Sequence, residues 1–385
     1  MKRIGNVWEY IVSEENGIQS VIDGTRQKRD KRKVVDLLYD DPDHYHEIDP
    51  QKAALFIKPI CNDLRLCTWV HASPKYKDQI CKAGASRKER KLCVPTLEDH
   101  IIHHMVMRGT MDAFLRGMHP NCCGSVPGRG INHIVKTIPK WLKQDKQCRY
   151  FVKLDIKKFF DSVDIEIMRK ILRSKIKDEK ALWAFDQILY SVPSGLPIGY
   201  YPSPFLANLY LEKLDWFIEQ DMYKVRRGKR IKYVRHLLRY VDDILLLGSS
   251  KSDLKKAVNK IKRFLKEERG LEIKNNWEIK IIGKHEMIDG KWKLKDGTYW
   301  IDIGGYKFCK DASVLRDTAF LSTKRLAKKM YKNGYYTPYQ CRSMNAKIAW
   351  ANAVGSYNFM TDYVIPYVNI KYTRRIISNV DKSRE

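Results

Sequence analysis

The stretch His236-Leu237-Leu238-Arg239-Tyr240-Val241-Asp242-Asp243-Ile244-Leu245-Leu246-Leu247 sets two carboxylates between two short apolar runs. Runs of this length and composition read as strands, so the stretch predicts a hairpin that lifts two anions to the edge of a sheet. Like charges this close repel, and a bound cation relieves them. Asp also favours turns, so the pair taken alone is equally well an ordinary hairpin turn. A second acidic strand end weighs against that reading: Lys153-Leu154-Asp155-Ile156-Lys157-Lys158-Phe159-Phe160 carries Asp155. Three carboxylates from two strands are an arrangement that can hold two divalent metals for phosphoryl transfer.

Around this centre lie 385 residues, enough for two or three domains. A hydrophobic content of 44% supports a packed core and excludes a disordered chain. Lys and Arg number 73 against 45 Asp and Glu, a net charge of +28. Such an excess repels itself without a polyanion and makes nucleic acid the expected partner. An anionic membrane is the rival, but no apolar run approaches the ~20 residues a span needs, and no signal sequence follows Met1-Lys2-Arg3. A cytoplasmic location and no membrane partner are expected. The nine cysteines show no C-x-x-C spacing, which predicts free thiols in a reducing compartment and no zinc.

Residues 1–80 read as helical and polar, with a basic run from Arg26 to Lys33 that is either a solvated face or an arm touching nucleic acid. A strand near Lys88–Pro95 runs into a helix announced by Thr96-Leu97-Glu98-Asp99, a capping pattern. Arg129, in the Gly-rich loop Cys122–Gly130, either meets a phosphate or is the exposed residue of a turn. A helix over about 131–145, the strand of Asp155 and a helix from near Asp164 follow. Ser194–Gly199 is a turn, after which Pro202 and Pro204 open a helix. Its stripe Leu206, Tyr210, Leu214 and Phe217 is expected to face the sheet. Ser252 is the expected cap of a helix that Gly270 ends. A strand-rich patch at 271–309 precedes a helical, basic tail from about 315, in which Thr337-Pro338-Tyr339-Gln340 forms a capping box. Strands alternating with helices, then helices alone, suggest an α/β core with an appended helical domain.

Four ordered pieces resemble the motifs of reverse transcriptases: Asp155 through Asp161, Gly199-x-x-x-Ser203-Pro204, Tyr240-Val241-Asp242-Asp243, and Asp302-Ile303-Gly304-Gly305-Tyr306-Lys307-Phe308 with Leu315-Arg316. The likeness covers roughly residues 80–320 and is nearest to the bacterial group-II-intron-like branch. Glu272–Trp277 and Tyr363–Asn369 are similar to enzymes of diversity-generating retroelements and phage-defence systems. The resemblance implies an α+β, right-hand polymerase. Residues 1–80 would be an N-terminal helical extension, 81–310 fingers and palm with an antiparallel sheet backed by helices, and 311–385 a helical thumb. It implies an RNA-directed DNA polymerase of a domesticated bacterial or phage retroelement, serving antiviral defence with a non-coding RNA. The implied cofactor is two Mg²⁺ ions, with Mn²⁺ as a substitute. Implied partners are an RNA template, dNTPs, the DNA product, and an accessory protein or a second copy of the chain. Three other readings stay open: a mutagenic enzyme of a diversity-generating retroelement, template-independent or protein-primed synthesis, and a maturase-like RNA-binding protein with no working site.

Residue by residue, the resemblance implies Asp155, Asp242 and Asp243 as catalytic, with Asp155, Ile156, Asp242 and Asp243 around the metals. Lys88 and Arg90 would clamp the triphosphate of the incoming nucleotide. Phe160 would exclude a ribose 2′-hydroxyl, unless it or Phe159 is simply core, since strand neighbours point to opposite faces. Ile198 stands before Gly199 where many relatives have Gln. It either loosens nucleotide selection or changes nothing. Arg129, Ser203, Pro204, Gly305, Tyr306 and Arg316 would meet primer or template, the competing reading of Gly304-Gly305-Tyr306 being a turn with a core tyrosine. Arg316, Lys324, Arg325, Lys328 and Lys329 would line a duplex-binding thumb. A lysine assisting pyrophosphate departure would be Lys274 or Lys280, on either side of Trp277.

Overall fold

The apolar runs flanking Val241 and Asp242 pair as antiparallel strands, His236–Tyr240 and Asp243–Gly248, with Tyr240 opposite Asp243. They belong to a four-stranded sheet in the order His236–Tyr240, Asp243–Gly248, Tyr150–Asp155, Ile279–Ile281. Ile244 through Leu247 are wholly buried, as an unbroken apolar run requires when both faces of a strand are covered. This computed structural model describes residues 3–25, 34, 38, 48–83, 86–288 and 291–382. The basic run Arg26–Lys33 lies outside the described residues.

The chain clusters into two compact units, each drawn from three stretches. One takes Met1–Val126, Asp155–Phe217 and Lys260–Asn275; the other takes Pro127–Leu154, Ile218–Asn259 and Asn276–Glu385. In the first, helices Glu14–Thr25, Pro50–Arg65 and Leu97–Leu115 pack together, and a hairpin pairs Lys75–Ala83 with Ser86–Val94. The hairpin starts inside the segment expected to be helical; the preceding helix stops at Arg65. Helix starts follow local chemistry. Thr96 Oγ1 accepts from Asp99 N, Asp164 Oδ1 from Ile167 N, and Asp178 Oδ1 from Ala181 N. Each satisfies a donor left over in the first turn. Helix Ser203–Gln220 buries Leu206, Tyr210 and Leu214, while Phe217 is half-buried and stacks on Phe264.

The second unit holds the four-stranded sheet and a three-stranded one, Ile301–Ile303, Tyr306–Phe308 and Ser313–Leu315. Its tail is four helices, Asp317–Asn333, Pro338–Ala353, Tyr357–Tyr363 and Ile370–Lys382. The capping box at Thr337 and Gln340 is complete. Helix Lys251–Arg269 is capped by Ser250, whose Oγ accepts from Asp253 N at 3.3 Å, and not by the expected Ser252. Ser252 falls inside the first turn, where its own N–H is one of the groups that needs a cap. No helix among the described residues is long and apolar enough to cross a membrane.

Candidate active site

Asp242 sits in the two-residue turn of the hairpin and Asp243 opens the strand after it. The turn needs left-handed backbone, and Val241 supplies it at φ 57°. That is an unfavourable conformation for a β-branched residue. Arg239, completely buried in the strand before it, donates from Nη1 to Val241 O at 3.0 Å. Sequence reasoning passed over Arg239; its signal was a charged residue within an otherwise apolar strand. Asp243 Oδ1 lies 3.6 Å from Lys153 Nζ, which also donates to Asp302 O at 3.1 Å.

Lys153 stands two residues before Asp155, the last residue of strand Tyr150–Asp155, and that strand is the sheet neighbour of Asp243–Gly248. Asp155 Oδ1 is 2.7 Å from Lys274 Nζ, and Asp155 O accepts from Lys274 N at 2.8 Å. Asp155 and Asp243 therefore each have an ammonium group beside them, which lowers the cost of gathering anions. Both side chains keep about a third of their surface exposed, 36% for Asp155 and 35% for Asp243. Ile156 is buried and bridges to Ile273, so its side chain takes no part. Lys274 also lines a cavity of about 480 Å³ with Lys157, Lys262, Lys266 and Glu272. Lys280 points elsewhere, over the Tyr299 ring and toward Glu278.

Within the first unit the backbones at Phe160, the Ile198-Gly199 loop and the end of strand Ser86–Val94 meet. Leu196 N donates to Phe160 O and Cys93 N donates to Ile198 O, both at 2.7 Å. The loop therefore lies against both the Phe160 turn and the strand carrying Lys88 and Arg90. Contacts this close require the glycines: a Cβ on Gly195 would stand 2.5 Å from Phe160 O, and one on Gly199 2.4 Å from Cys93 O. Phe159 and Phe160 are not strand neighbours as expected. Lys158 turns the chain at φ 46°, and Phe160 begins a short 3-10 helix. Phe159 is core and Phe160 is half-buried. Arg90 is exposed; the Lys88 backbone lies in the strand, and its side chain is outside the described residues.

The expected primer and template residues divide. Gly304 and Gly305 form a left-handed turn, φ 62° and 88°, and a Cβ on Gly305 would meet open space. Tyr306 is 1% exposed and its hydroxyl donates to Trp350 O, so it is the core tyrosine of the competing reading and has no surface to offer a primer. Ser203 is likewise buried, its hydroxyl donating to Pro197 O at 2.7 Å, which ties the loop to the helix start. Pro204 is half-buried in the first turn. Arg316 donates from Nε to Asp302 Oδ1 at 2.6 Å and from N to Gly305 O at 2.9 Å. It lines a cavity of about 640 Å³ with Lys153, Trp277, Lys280, Trp300 and Lys307. Cations interleaved with indole rings suit single-stranded nucleic acid. Arg129 is half-buried in a loop whose flanking glycines have φ 73° and 75°. Burial chiefly, and then the Arg129 charge, hold His133 below the usual imidazole range.

Comparison with known proteins matches residues 77–277 to the family described as "Reverse transcriptase (RNA-dependent DNA polymerase)". The group II intron-encoded protein LtrA of Lactococcus lactis subsp. cremoris is 31% identical over 182 residues, 44% of this chain and 29% of LtrA. The chain thus spans under a third of that relative. The retron Ec73 reverse transcriptase of Escherichia coli is 24% identical over 248 residues, covering 62% of this chain and 73% of that one. Among solved structures, apo telomerase from Candida tropicalis overlays with a TM-score of 0.47 at 12% identity, covering 82% of this chain and 62% of that chain.

Proposed function

This chain belongs to the reverse transcriptase family, and from that premise we propose that it is an RNA-directed DNA polymerase, with Asp155, Asp242 and Asp243 as its catalytic carboxylates. The observation that carries the reading is that Asp155 ends one strand and Asp243 begins the strand next to it in the same sheet. The donors fit magnesium: hard carboxylate oxygens, partly exposed, leaving room for phosphate oxygens and water. Asp155, Asp242 and Asp243 would hold two such ions, whose chemistry would be activation of the primer 3′-hydroxyl and neutralisation of the triphosphate and its leaving oxygen. Ile156 can contribute only its backbone carbonyl.

The chain's own residues do the remaining work. Arg90 and the strand that carries it bind the triphosphate, and Phe160 excludes a 2′-hydroxyl by bulk. Lys274, already against Asp155, neutralises the departing pyrophosphate within its lysine-lined cavity. Arg316 and Lys307, with Trp277 and Trp300, hold the nucleic acid near the Gly304-Gly305 turn. Residues 1–80, 81–310 and 311–385 serve as extension, fingers with palm, and thumb of a right-hand polymerase. The match to a retron enzyme supports a retroelement that works with its own non-coding RNA, and antiviral defence is the role we assign to it.

The test supplies purified chain with Mg²⁺, dNTPs and either a primed RNA or no template. Template-dependent DNA is expected. Product without template would favour protein-primed or template-independent synthesis; tight RNA binding with no product would favour a maturase-like protein. Asp242→Ala should abolish synthesis and leave RNA affinity within about twofold, a change of only ~0.4 kcal/mol. Synthesis at the wild-type rate in that variant would overturn the assignment.

A further inference from the structure

Away from the catalytic carboxylates, two clusters among the described residues join a thiol, an imidazole and a carboxylate: Asp145, Cys148 and His236, and His285, Cys309 and Asp311. In the first, the carboxylate is already committed. Asp145 Oδ2 accepts from Arg235 Nε at 2.8 Å and lies 3.0 Å from His236 Nε2, while Oδ1 accepts from Gln147 N. A guanidinium so close opposes a dication at the same oxygen.

The second cluster is differently built. Asp311 Oδ1 lies 3.0 Å from His285 Nδ1 and 3.1 Å from Cys309 Sγ, and the sulfur is 3.7 Å from Nδ1. In a tetrahedral zinc site, bonds of about 2.3 Å to sulfur and 2.0–2.2 Å to nitrogen or oxygen set the ligand atoms roughly 3.3–3.6 Å apart. The sulfur-to-nitrogen distance matches that triangle, and the two distances to Asp311 Oδ1 are shorter than it by roughly 0.3–0.5 Å, the spacing of the hydrogen bonds that hold the donors together without metal. They are fixed by backbone bonds: Lys310 N donates to Gly283 O and Cys309 N to Ala312 O, each at 2.9 Å, and His285 N donates to Asp311 Oδ2 at 3.0 Å. Held donors of this kind are what a metal site needs around its ligands. Cys309 is buried, whereas the side chains of His285 and Asp311 are 20% and 34% exposed, so the triangle has a dry sulfur side and a wet side.

We propose that His285, Cys309 and Asp311 bind a borderline-soft divalent cation of the zinc type, with water in the fourth position. On binding, the thiol proton passes to solvent, the imidazole proton moves through solvent from Nδ1 to Nε2, the thiolate and the freed Nδ1 bond to the metal, and no electron changes hands. The site is separate from the magnesium chemistry, which has no sulfur donor. It staples the turn after strand Tyr306–Phe308 to strand His285–Ile288.

Without metal, the same atoms can share two hydrogen bonds, with the thiol and imidazole donating to Asp311. Cobalt distinguishes the two states. The full-length chain, reduced and freed of metal, is titrated with Co²⁺ and then with Zn²⁺. One equivalent of Co²⁺ should raise a thiolate-to-cobalt charge-transfer band in the near ultraviolet, and Zn²⁺ should remove it. Cys309→Ser should lose the band, Asp311→Asn should weaken it, and Cys148→Ser should keep it. A wild-type chain that shows no band overturns the proposal whatever the variants do. A band that survives in Cys309→Ser, or vanishes in Cys148→Ser, overturns it too.

Discussion

Arg239 shows how much of the hairpin turn at Asp242 rests on one buried side chain. Among the described residues it is the largest fully buried side chain, and its guanidinium holds the carbonyl of Val241, whose left-handed backbone places Asp242. A strained residue of this kind costs about 1–3 kcal/mol and persists only where its surroundings enforce it. Arg239→Met keeps the length of the side chain and removes the enforcing bond. It should cut primer extension at least tenfold, about 1.4 kcal/mol in the barrier, with RNA affinity unchanged. Extension at the wild-type rate would show that the turn holds itself. His133 makes a prediction of a different sort. Burial, helped by Arg129, depresses its folded pKa below the unfolded 6.5. The folded state then favours neutral imidazole, so this contribution is complete above pH 6.5 and declines as pH falls through the folded value. Melting temperature should drop on acidification from pH ~7.5 to ~5.5, and less steeply in His133→Asn. Equal slopes in the two proteins would remove His133 from the account.

At the scale of the element, the helices begin where short-range hydrogen bonding tells them to. Thr337 Oγ1 accepts from Gln340 N at 3.2 Å and Gln340 Oε1 accepts from Thr337 N at 3.0 Å. Thr337→Ala leaves the Gln340 N–H to water, while Gln340 Oε1 can still accept from the N–H of residue 337, and should cost about 1 kcal/mol, read as a lower urea midpoint with an unchanged slope. An unaltered midpoint would mean that tertiary packing alone holds the helix start. Strand ends are less self-sufficient. Strand Tyr150–Asp155 brings Lys153 and Asp155 to its C-terminal end, yet what each side chain does there depends on Asp243 and Lys274, far away in sequence.

For the whole molecule, on the proposed polymerase reading, a net charge of +28 should govern how it meets nucleic acid. Each phosphate neutralised releases counterions, so affinity falls as a power of salt concentration. Contact with as few as six phosphates predicts a loss of roughly 10³ in affinity for duplex between about 50 and 200 mM salt. A filter-binding series would measure the slope, and a flat one would remove charge from recognition. The exposed cations of helix Asp317–Asn333, Arg325, Lys328 and Lys329, are the first to neutralise in locating that slope.

Local chemistry was legible in the chain itself. The hairpin at Asp242 and the helix starts at Thr96, Asp164 and Thr337 each depend on residues within four positions of one another, so pattern suffices to find them. Partnerships across the chain were not legible. That Tyr306 is core and that Lys153 and Lys274 sit against Asp243 and Asp155 follow from packing between distant segments, and Phe159 rather than Phe160 is buried because the chain turns at Lys158, a left-handed position that no residue type there announces. His285 meets Cys309 and Asp311 for the same reason: their spacing matches no local ligand motif, and only the fold supplies the backbone bonds that set three donors around one point.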